Sequence, residues 1–328
     1  MKLLGVFLAP LLAWALAAAP ALAHTVGFQR LTIAAATTGG DDKPIEIGVW
    51  YPSDAVASPQ ALGGFTQDVA PNGAVAGERL PLVVVSHGTS GWFGEHVDTA
   101  LALARAGFVV AALSHTGDTY DDQSRAARIS GRPAQLRRLI DYMLAEWPDH
   151  ARIDADRVGA FGFSAGGFTV LAAVGGVPDL GKVVPHCATH QTAFECGVVK
   201  QMKGPVVLPD RSVWARDARI KAAVVAAPAL GYTFDLSAVN LPIQLWRAED
   251  DHILPGPDYA EAVRKALPRP PEYHVVKGAD HMDFLTPCTD ALRKAAPDIC
   301  DEIDGFDRTA FHAQFNRDVI AFFQRELR

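Results

Sequence analysis

The 328-residue sequence lacks the basic surface that a polyanionic partner would require. It has 30 Lys and Arg residues against 37 Asp and Glu residues, for a formal net charge of -7, and it contains no run of basic residues. Nucleic acids and acidic membranes are bound through basic patches. We therefore expect no nucleic-acid partner.

Long hydrophobic runs are absent beyond the first 23 residues, so we expect no membrane span in the mature chain. The first residues have the form of a secretory signal peptide, with a basic residue, an apolar stretch at 3–16 and the A-x-A pattern Ala21-Leu22-Ala23. We predict a signal peptide at 1–23 and a mature domain at 24–328. The product would be exported and either periplasmic or secreted.

A transmembrane helix is the alternative interpretation of the same segment, because the run approaches the length that spans a bilayer. Pro10 and Pro20 interrupt it, and the small residues at its end are typical of a cleavage site. The signal peptide is therefore the favoured prediction.

Cysteine is scarce, at four residues, and no C-x-x-C pair occurs. An even number of cysteines in an exported chain indicates disulfides, although three pairings are open. Local spacing favours Cys187 with Cys196 and Cys288 with Cys300, each closing a short loop.

A metal site is the alternative to the first of these pairs. His186, Cys187, His190 and Cys196 cluster in the sequence and are all residue types that bind zinc. The cluster lacks the paired C-x-x-C element of structural zinc sites, so we predict disulfides and no metal.

The mature chain alternates short apolar segments with helical patterns from residue 80 onward. Such alternation is typical of an α/β fold, with a mostly parallel central sheet covered by helices on both faces. The predicted strands are 82–85, 109–113, 158–163, 222–227, 243–246 and 273–276, and the predicted helices are 95–106, 133–147, 165–173, 258–267 and 307–326.

Three further segments complete the predicted organisation. Residues 27–36 and 45–51 have the pattern of antiparallel strands at an edge of the sheet. Residues 53–77 are rich in Gly, Pro, Ala and Asn and are predicted to form a loop. Residues 175–218 lack periodicity and follow a predicted helix, so we expect a small cap-like insertion above the carboxyl ends of the strands.

The sequence Gly162-Phe163-Ser164-Ala165-Gly166 matches G-x-S-x-G, the sharp turn that exposes a serine hydroxyl between a strand and a helix. The motif alone is weak, but an apolar strand precedes it and a helical pattern follows it. Ser164 is therefore the candidate nucleophile.

A serine nucleophile needs a base and an acid that orients the base, and in this fold they follow in the order acid, then histidine. The acid candidates are Asp251, which stands four residues before a proline, with Asp250 and then Glu249 as alternatives. The base candidate is His281, on the loop after the last strand. His252 and His274 are its closest rivals.

The tetrahedral intermediate of acyl transfer requires two N–H donors. We predict the backbone N–H of Ala165, which follows the nucleophile, and that of Thr89, in the loop after strand 82–85. Trp92 and Phe93 follow this loop and are candidates for lining the substrate pocket. A role in the core fits these two aromatics equally well.

Residues 80–284 resemble the dienelactone-hydrolase-like branch of the α/β-hydrolases, close to bacterial relatives of platelet-activating-factor acetylhydrolases. The resemblance rests on Val85-Ser86-His87-Gly88, on 103–115, on Arg132-Pro133, and on the loops that carry the three candidate residues. It implies a serine esterase that needs no cofactor. True dienelactone hydrolases have cysteine at the nucleophile position, and the insertion at 175–218 has no counterpart that can be carried over.

The expected function is hydrolysis of small-molecule or lipid carboxylic esters with small to medium acyl groups. The alternatives are a short-chain phospholipase, a polyester hydrolase and an amidase. A non-catalytic binding protein on the same scaffold is a further alternative, since a fold does not entail an activity.

Overall fold

A computed structural model describes residues 25–35, 43–201, 208–301, 303 and 305–328. The predicted signal peptide at 1–23 and the start of the mature chain at His24 lie outside the described residues. Within the described part of the chain, no helix has the length and apolar character to cross a membrane.

Strands and helices alternate along most of the described chain. In order they are β1 (Thr25–Ile33), β2 (Ile45–Ser53), β3 (Ser58–Leu62), β4 (Phe65–Pro71), β5 (Leu80–Ser86), α1 (Val97–Arg105), β6 (Val109–Leu113), α2 (Arg132–Ala145), β7 (Ile153–Phe163), α3 (Ala165–Ala173), β8 (Val177–Pro178), α4 (Val183–Thr189), α5 (Phe194–Gln201), β9 (Ile220–Ala226), β10 (Phe234–Asp235), β11 (Ile243–Ala248), α6 (Ala260–Ala266), β12 (Glu272–Val276), α7 (Asp290–Ala295) and α8 (Arg308–Glu326). Short 3₁₀ turns occupy several of the connections.

The main sheet has the strand order β12-β11-β9-β7-β5-β6-β2-β1-β4-β3. The six strands predicted after residue 80 are present and form its parallel part. Strands β1 and β2 pair antiparallel, and β2 pairs antiparallel with β6. The carboxyl ends of the parallel strands therefore lie along one rim of the sheet.

The predicted loop at 53–77 is wrong in part, because it contains the hairpin β3–β4. The turn is the pair Gly63-Gly64, and Gly63 has φ +56°. A Gly-Gly pair between strands is a hairpin signal, but the Gly and Pro residues throughout the segment predicted a loop. Because β4 pairs with β1, the outermost strand at this end is β3, and the pair β1–β2 does not form the edge.

Alternate residues of the parallel strands face two separate hydrophobic cores. In β5, Leu82 and Val84 pack on the face covered by α2 and α3. Val83 and Val85 pack on the other face, covered by α1 and α8. Burial on both faces explains why these strands are continuous apolar runs in the sequence.

The four cysteines form two disulfides, Cys187–Cys196 and Cys288–Cys300, the pairing that local spacing favours. The first joins α4 to α5 within the insertion at 175–218. The short strand β8 attaches the start of this insertion to β10. Because Cys187 and Cys196 are bonded to each other, they are not metal ligands.

A buried polar cluster fastens the last helix to the rest of the fold. Asp98 on α1 accepts hydrogen bonds from Thr286, from His312 Nδ1 at 2.7 Å and from Asn316. The other ring nitrogen of His312 lies 2.8 Å from the backbone oxygen of Asp283. Burial alone would raise the pKa of Asp98, but the His312 ring and the other donors hold it well below its usual range. The cluster thereby fixes the loop that carries His281.

Candidate active site

Ser164 occupies a strained turn between β7 and α3. Its backbone has φ +55° and ψ -117°, a conformation that residues other than glycine rarely adopt. A Cβ at Gly162 would lie 2.2 Å from the backbone oxygen of Gly166, and a Cβ at Gly166 would lie 1.8 Å from that of Ser86. Only glycine fits at both positions, which is why the motif requires them.

Asp251 and His281 form a buried hydrogen-bonded pair. The carboxylate oxygen Oδ2 of Asp251 lies 2.8 Å from His281 Nδ1, and both residues are buried. The other oxygen, Oδ1, accepts the backbone N–H groups of Ile253 at 3.0 Å and Leu254 at 2.6 Å. Both carboxylate oxygens of Asp251 have partners, so the orientation of the carboxylate is fixed. Because Nδ1 of His281 bonds to Asp251, Nε2 is the ring nitrogen that can accept a proton.

The base candidate stands at the start of a 3₁₀ turn, His281–Phe284, with Asp280 as its N-cap. The Asp280 side chain accepts the His281 N–H at 2.7 Å. The imidazole lies against the ring of Phe163, with 4.8 Å between centroids, and Phe163 immediately precedes Ser164. The structure therefore brings the loops of all three candidate residues together at the carboxyl rim of the sheet.

The rival acids have other contacts. Asp250 and Glu249 are exposed, and their backbone N–H groups bond to the oxygens of Ala279 and Val276. The Glu249 side chain accepts the N–H of Gly278. These two residues join the loop after β11 to the end of β12 and the loop that follows it. Neither side chain bonds to the imidazole of His281.

The rings of the rival histidines have other partners. His252 has a side chain that is 73% exposed and that faces Asp280. His274 stacks on Trp246, with centroids 3.9 Å apart, and contacts Glu272. Neither ring bonds to Asp251.

The loop after β5 offers a backbone donor close to the serine turn. The N–H of Gly88 bonds to Glu95 at 3.0 Å, and the N–H of Ser90 bonds to Asp118 at 2.8 Å. Among the described residues, no acceptor takes the N–H of Thr89, which lies between them. The N–H of Ala165 is at the first turn of α3, where helices leave their N–H groups without an intrahelical partner.

Arg132 holds this loop in place, a role that no sequence motif indicates. Its side chain is buried and donates to Asp118 at 2.5 Å, to the oxygens of His87 and Gly88, and to Thr169 on α3. The charge of the guanidinium is compensated by Asp118. The sequence Arg132-Pro133 indicates the start of α2. It does not reveal the ion pair, because the partner Asp118 lies 14 positions earlier in the chain.

Two buried histidines complete the support of the loop. Burial, together with the Arg132 charge, lowers the pKa of His87 to about 4, and the same causes put the pKa of His115 well below its usual value. Both rings are therefore neutral near pH 7. His87 lies 2.6 Å from the Gly88 oxygen through Nδ1 and accepts the backbone N–H of His115 at 2.8 Å. The neutral rings add no charge beside the loop.

The two aromatic pocket candidates lie in different environments. Phe93 is buried in the core against Trp50, at 6.2 Å between ring centroids. Trp92 is half-buried, faces the exposed Tyr120 and packs under the β3–β4 turn at Gly63. Only Trp92 of the pair reaches the protein surface.

The insertion at 175–218 contacts loops that leave the carboxyl ends of β9 and β11. Glu195 on α5 is buried and accepts the phenol groups of Tyr232 at 3.0 Å and Tyr259 at 2.9 Å. Burial, and then the Glu195 charge, raises the pKa of both phenols well above 10, so they remain donors at physiological pH. The backbone N–H of Ala229, three residues before Tyr232, bonds to the backbone oxygen of Ser164 at 3.0 Å.

We predict that Gly166→Ala destabilises the protein by about 1–3 kcal/mol or more, because the added methyl group would collide with the rigid backbone at the end of β5. Gly197→Ala on α5 is the matched control, since a Cβ there meets no atom within 4 Å. It should be neutral or stabilising by up to about 1 kcal/mol. Urea denaturation measures both, and equal effects of the two substitutions would contradict the steric argument.

No protein-family model matches the sequence, and no curated protein matches it significantly. Solved structures do match, 856 chains in all. One is a ferulic acid esterase from Streptomyces cinnamoneus, which superposes with a TM-score of 0.64 at 20% sequence identity and covers 95% of this chain and 92% of that chain. Together with the parallel sheet covered on both faces, this similarity confirms the predicted fold, and the chain has the α/β-hydrolase fold.

Proposed function

We propose that the protein is a serine hydrolase that cleaves carboxylic esters through an acyl-enzyme on Ser164. The observation that carries the proposal is the buried Asp251–His281 hydrogen bond beside the strained Ser164 turn. The fold of an esterase of known structure supports it. Export, through the signal peptide at 1–23, is part of the same proposal and agrees with the two disulfides.

In the proposed mechanism, His281 Nε2 takes the proton of Ser164 as the hydroxyl oxygen attacks the ester carbonyl carbon. Asp251 holds the imidazole in the tautomer with Nδ1–H and stabilises the imidazolium. His281 then gives the proton to the departing alcohol. A water molecule, deprotonated by the same ring, attacks the acyl-enzyme. The ring then returns this proton to the oxygen of Ser164 as the carboxylic acid is released.

The negative oxygen of each tetrahedral intermediate would be stabilised by the N–H groups of Ala165 and Thr89. Two features support this assignment for Thr89: no described acceptor takes its N–H, and the N–H groups on either side have other partners. Donors fixed before reaction lower the barrier because they need no reorganisation.

We propose esters of small to medium acyl groups as the substrates, with the half-buried Trp92 as a wall of the entrance. The dienelactone-hydrolase-like resemblance remains a prediction, and so do the alternative activities on short-chain phospholipids and polyesters. Rates measured over a series of acyl-chain lengths would separate these substrate classes.

A fluorophosphonate probe should label the wild-type protein covalently, and Ser164→Ala should abolish the labelling. The reason is that the probe reacts only with a serine whose hydroxyl is activated by a base. Ser90→Ala, at another positive-φ serine near the site, is the matched control and should keep the label. An intact, folded wild-type protein that is not labelled would favour a non-catalytic binding protein.

Asp251→Asn should lower kcat by about 10⁴-fold, because an amide at this position favours the wrong tautomer of His281. Asp250→Asn should lower kcat by less than about tenfold, since the Asp250 side chain is exposed. Steady-state kinetics on a chromogenic ester measures both. Equal and mild effects would contradict the assignment of the acid.

Arg132→Lys should lower kcat about 10- to 100-fold with a smaller change in KM, because an ammonium group cannot hold His87, Gly88 and Asp118 together. Arg137→Lys, on the exposed side of the same helix, is the control. A loss confined to KM, or an equal loss in the control, would show that Arg132 does not position the Thr89 donor.

A further inference from the structure

The insertion carries a buried carboxylate that the proposed chemistry does not use. Glu195 lies on α5 and accepts hydrogen bonds from two phenols, Tyr232 at 3.0 Å and Tyr259 at 2.9 Å. One of its oxygens, Oε1, accepts from both phenols, because the Tyr259 hydroxyl also lies 3.0 Å from it. Burying a carboxylate is costly unless donors compensate its charge. The two bonds therefore fix where the insertion meets the rest of the chain.

Tyr259 belongs to the segment that carries the acid. It ends the loop that begins after β11 and stands immediately before α6. Within that loop, the N–H groups of Ile253 and Leu254 hold the oxygen Oδ1 of Asp251. Tyr259 is only 3% exposed, and its hydroxyl donates to Glu195. Glu195 therefore anchors one end of the loop whose backbone orients the acid.

Tyr232 belongs to the loop that supports the serine turn. This loop follows β9, and its Ala229 N–H bonds to the backbone oxygen of Ser164 at 3.0 Å. A Cβ at Gly231, the residue before the phenol, would lie 2.1 Å from the backbone oxygen of Tyr259. The loop after β9 thus packs directly against the acid loop. The two phenols lie on the loops that hold the nucleophile and the acid, and these loops touch.

The insertion itself also fixes the position of the carboxylate. Cys196, the residue after Glu195, is buried and is bonded to Cys187 on α4. His186, the residue before Cys187, stacks on the ring of Tyr232 with 4.1 Å between centroids. Its Nε2 lies 3.5 Å from the Glu195 carboxylate. A covalent link and a ring contact thus hold the carboxylate against the phenols.

We propose that Glu195 is a positioning residue of the active site, which acts through the two phenols on the loops of the nucleophile and the acid. The inference rests on the proposed function and deepens it. A displacement of reacting groups by about 1 Å can lower a rate by about 100-fold. Loss of the carboxylate therefore affects the chemical step more than substrate binding. The insertion is then required for the full catalytic rate, in addition to any effect on the choice of substrate.

Steady-state kinetics of the full mature chain on a chromogenic ester tests the proposal. Glu195→Ala should lower kcat about 10- to 100-fold with a smaller change in KM, because both phenols lose their acceptor. Glu195→Gln should retain most of the rate, since an amide oxygen at the place of Oε1 still accepts from both phenols. Tyr259→Phe should lower kcat about tenfold. The double variant Glu195→Ala/Tyr259→Phe should be no slower than Glu195→Ala, because the two residues share one interaction.

Tyr273→Phe is the matched control. Tyr273 also donates its hydroxyl to a carboxylate, that of Glu261 at 2.7 Å, but it lies near the amino end of β12. This variant should change kcat less than about twofold. The melting temperature of every variant is measured alongside. If Glu195→Ala and Tyr259→Phe lower the melting temperature but keep the wild-type kcat, the cluster is only structural and the proposal is overturned.

Hydrogen exchange provides a readout that needs no substrate. In Glu195→Ala, the backbone N–H groups of Ile253 and Leu254 should exchange about tenfold faster than in the wild type, because a hydrogen bond that limits local opening is lost. In Glu195→Gln they should exchange at about the wild-type rate. Unchanged exchange in Glu195→Ala would overturn the proposal. A wild type that cleaves no ester but shows this exchange pattern would instead refute the proposed function and support the control of the acid loop by Glu195.

Discussion

The hydrogen bond between Asp251 and His281 determines the geometry of the rest of the site. It joins the loops after β11 and β12, which are neighbouring parallel strands, so the two loops begin side by side. Both partners are buried, and neither would be stable there without the other. The exposed Glu249 and Asp250 bond through their backbone N–H groups to Val276 and Ala279, at the end of β12 and in the loop after it. The pair therefore orients the imidazole and also joins two loops.

A second constraint acts on the opposite side of the serine turn. The loop with Thr89 is held by the buried ion pair of Arg132 with Asp118 and by Glu95, which accepts the N–H of Gly88. Burying a charged pair such as Arg132 and Asp118 is costly unless both groups are hydrogen-bonded. The hydrogen bonds of Glu95 and Asp118 fix the directions of the backbone N–H groups of this loop. Rigid donors are what the stabilisation of an oxyanion requires.

The sequence was sufficient for the parts of the fold with strong local signals. Continuous apolar runs predicted the six parallel strands, because strands buried on both faces have no polar side. The turn at Ser164 was predicted because its glycines are sterically required. The hairpin β3–β4 was missed, since neither strand is a continuous apolar run and β3 contains a proline. The roles of Arg132 and Glu195 could not be predicted, because their partners are distant in sequence and are brought near only by the fold.

The way in which the insertion is attached has a consequence for its motion. Val183 and Trp214 of the insertion enter the hydrophobic core on the α2–α3 face, and Glu195 accepts hydrogen bonds from two phenols on the rim loops. Separating the insertion from the rim would expose these apolar side chains and leave a buried carboxylate without its donors, and both changes cost free energy. The disulfide joins α4 to α5, so the two helices cannot separate from the rim one at a time. The described part of the insertion is thus anchored as one cross-linked unit.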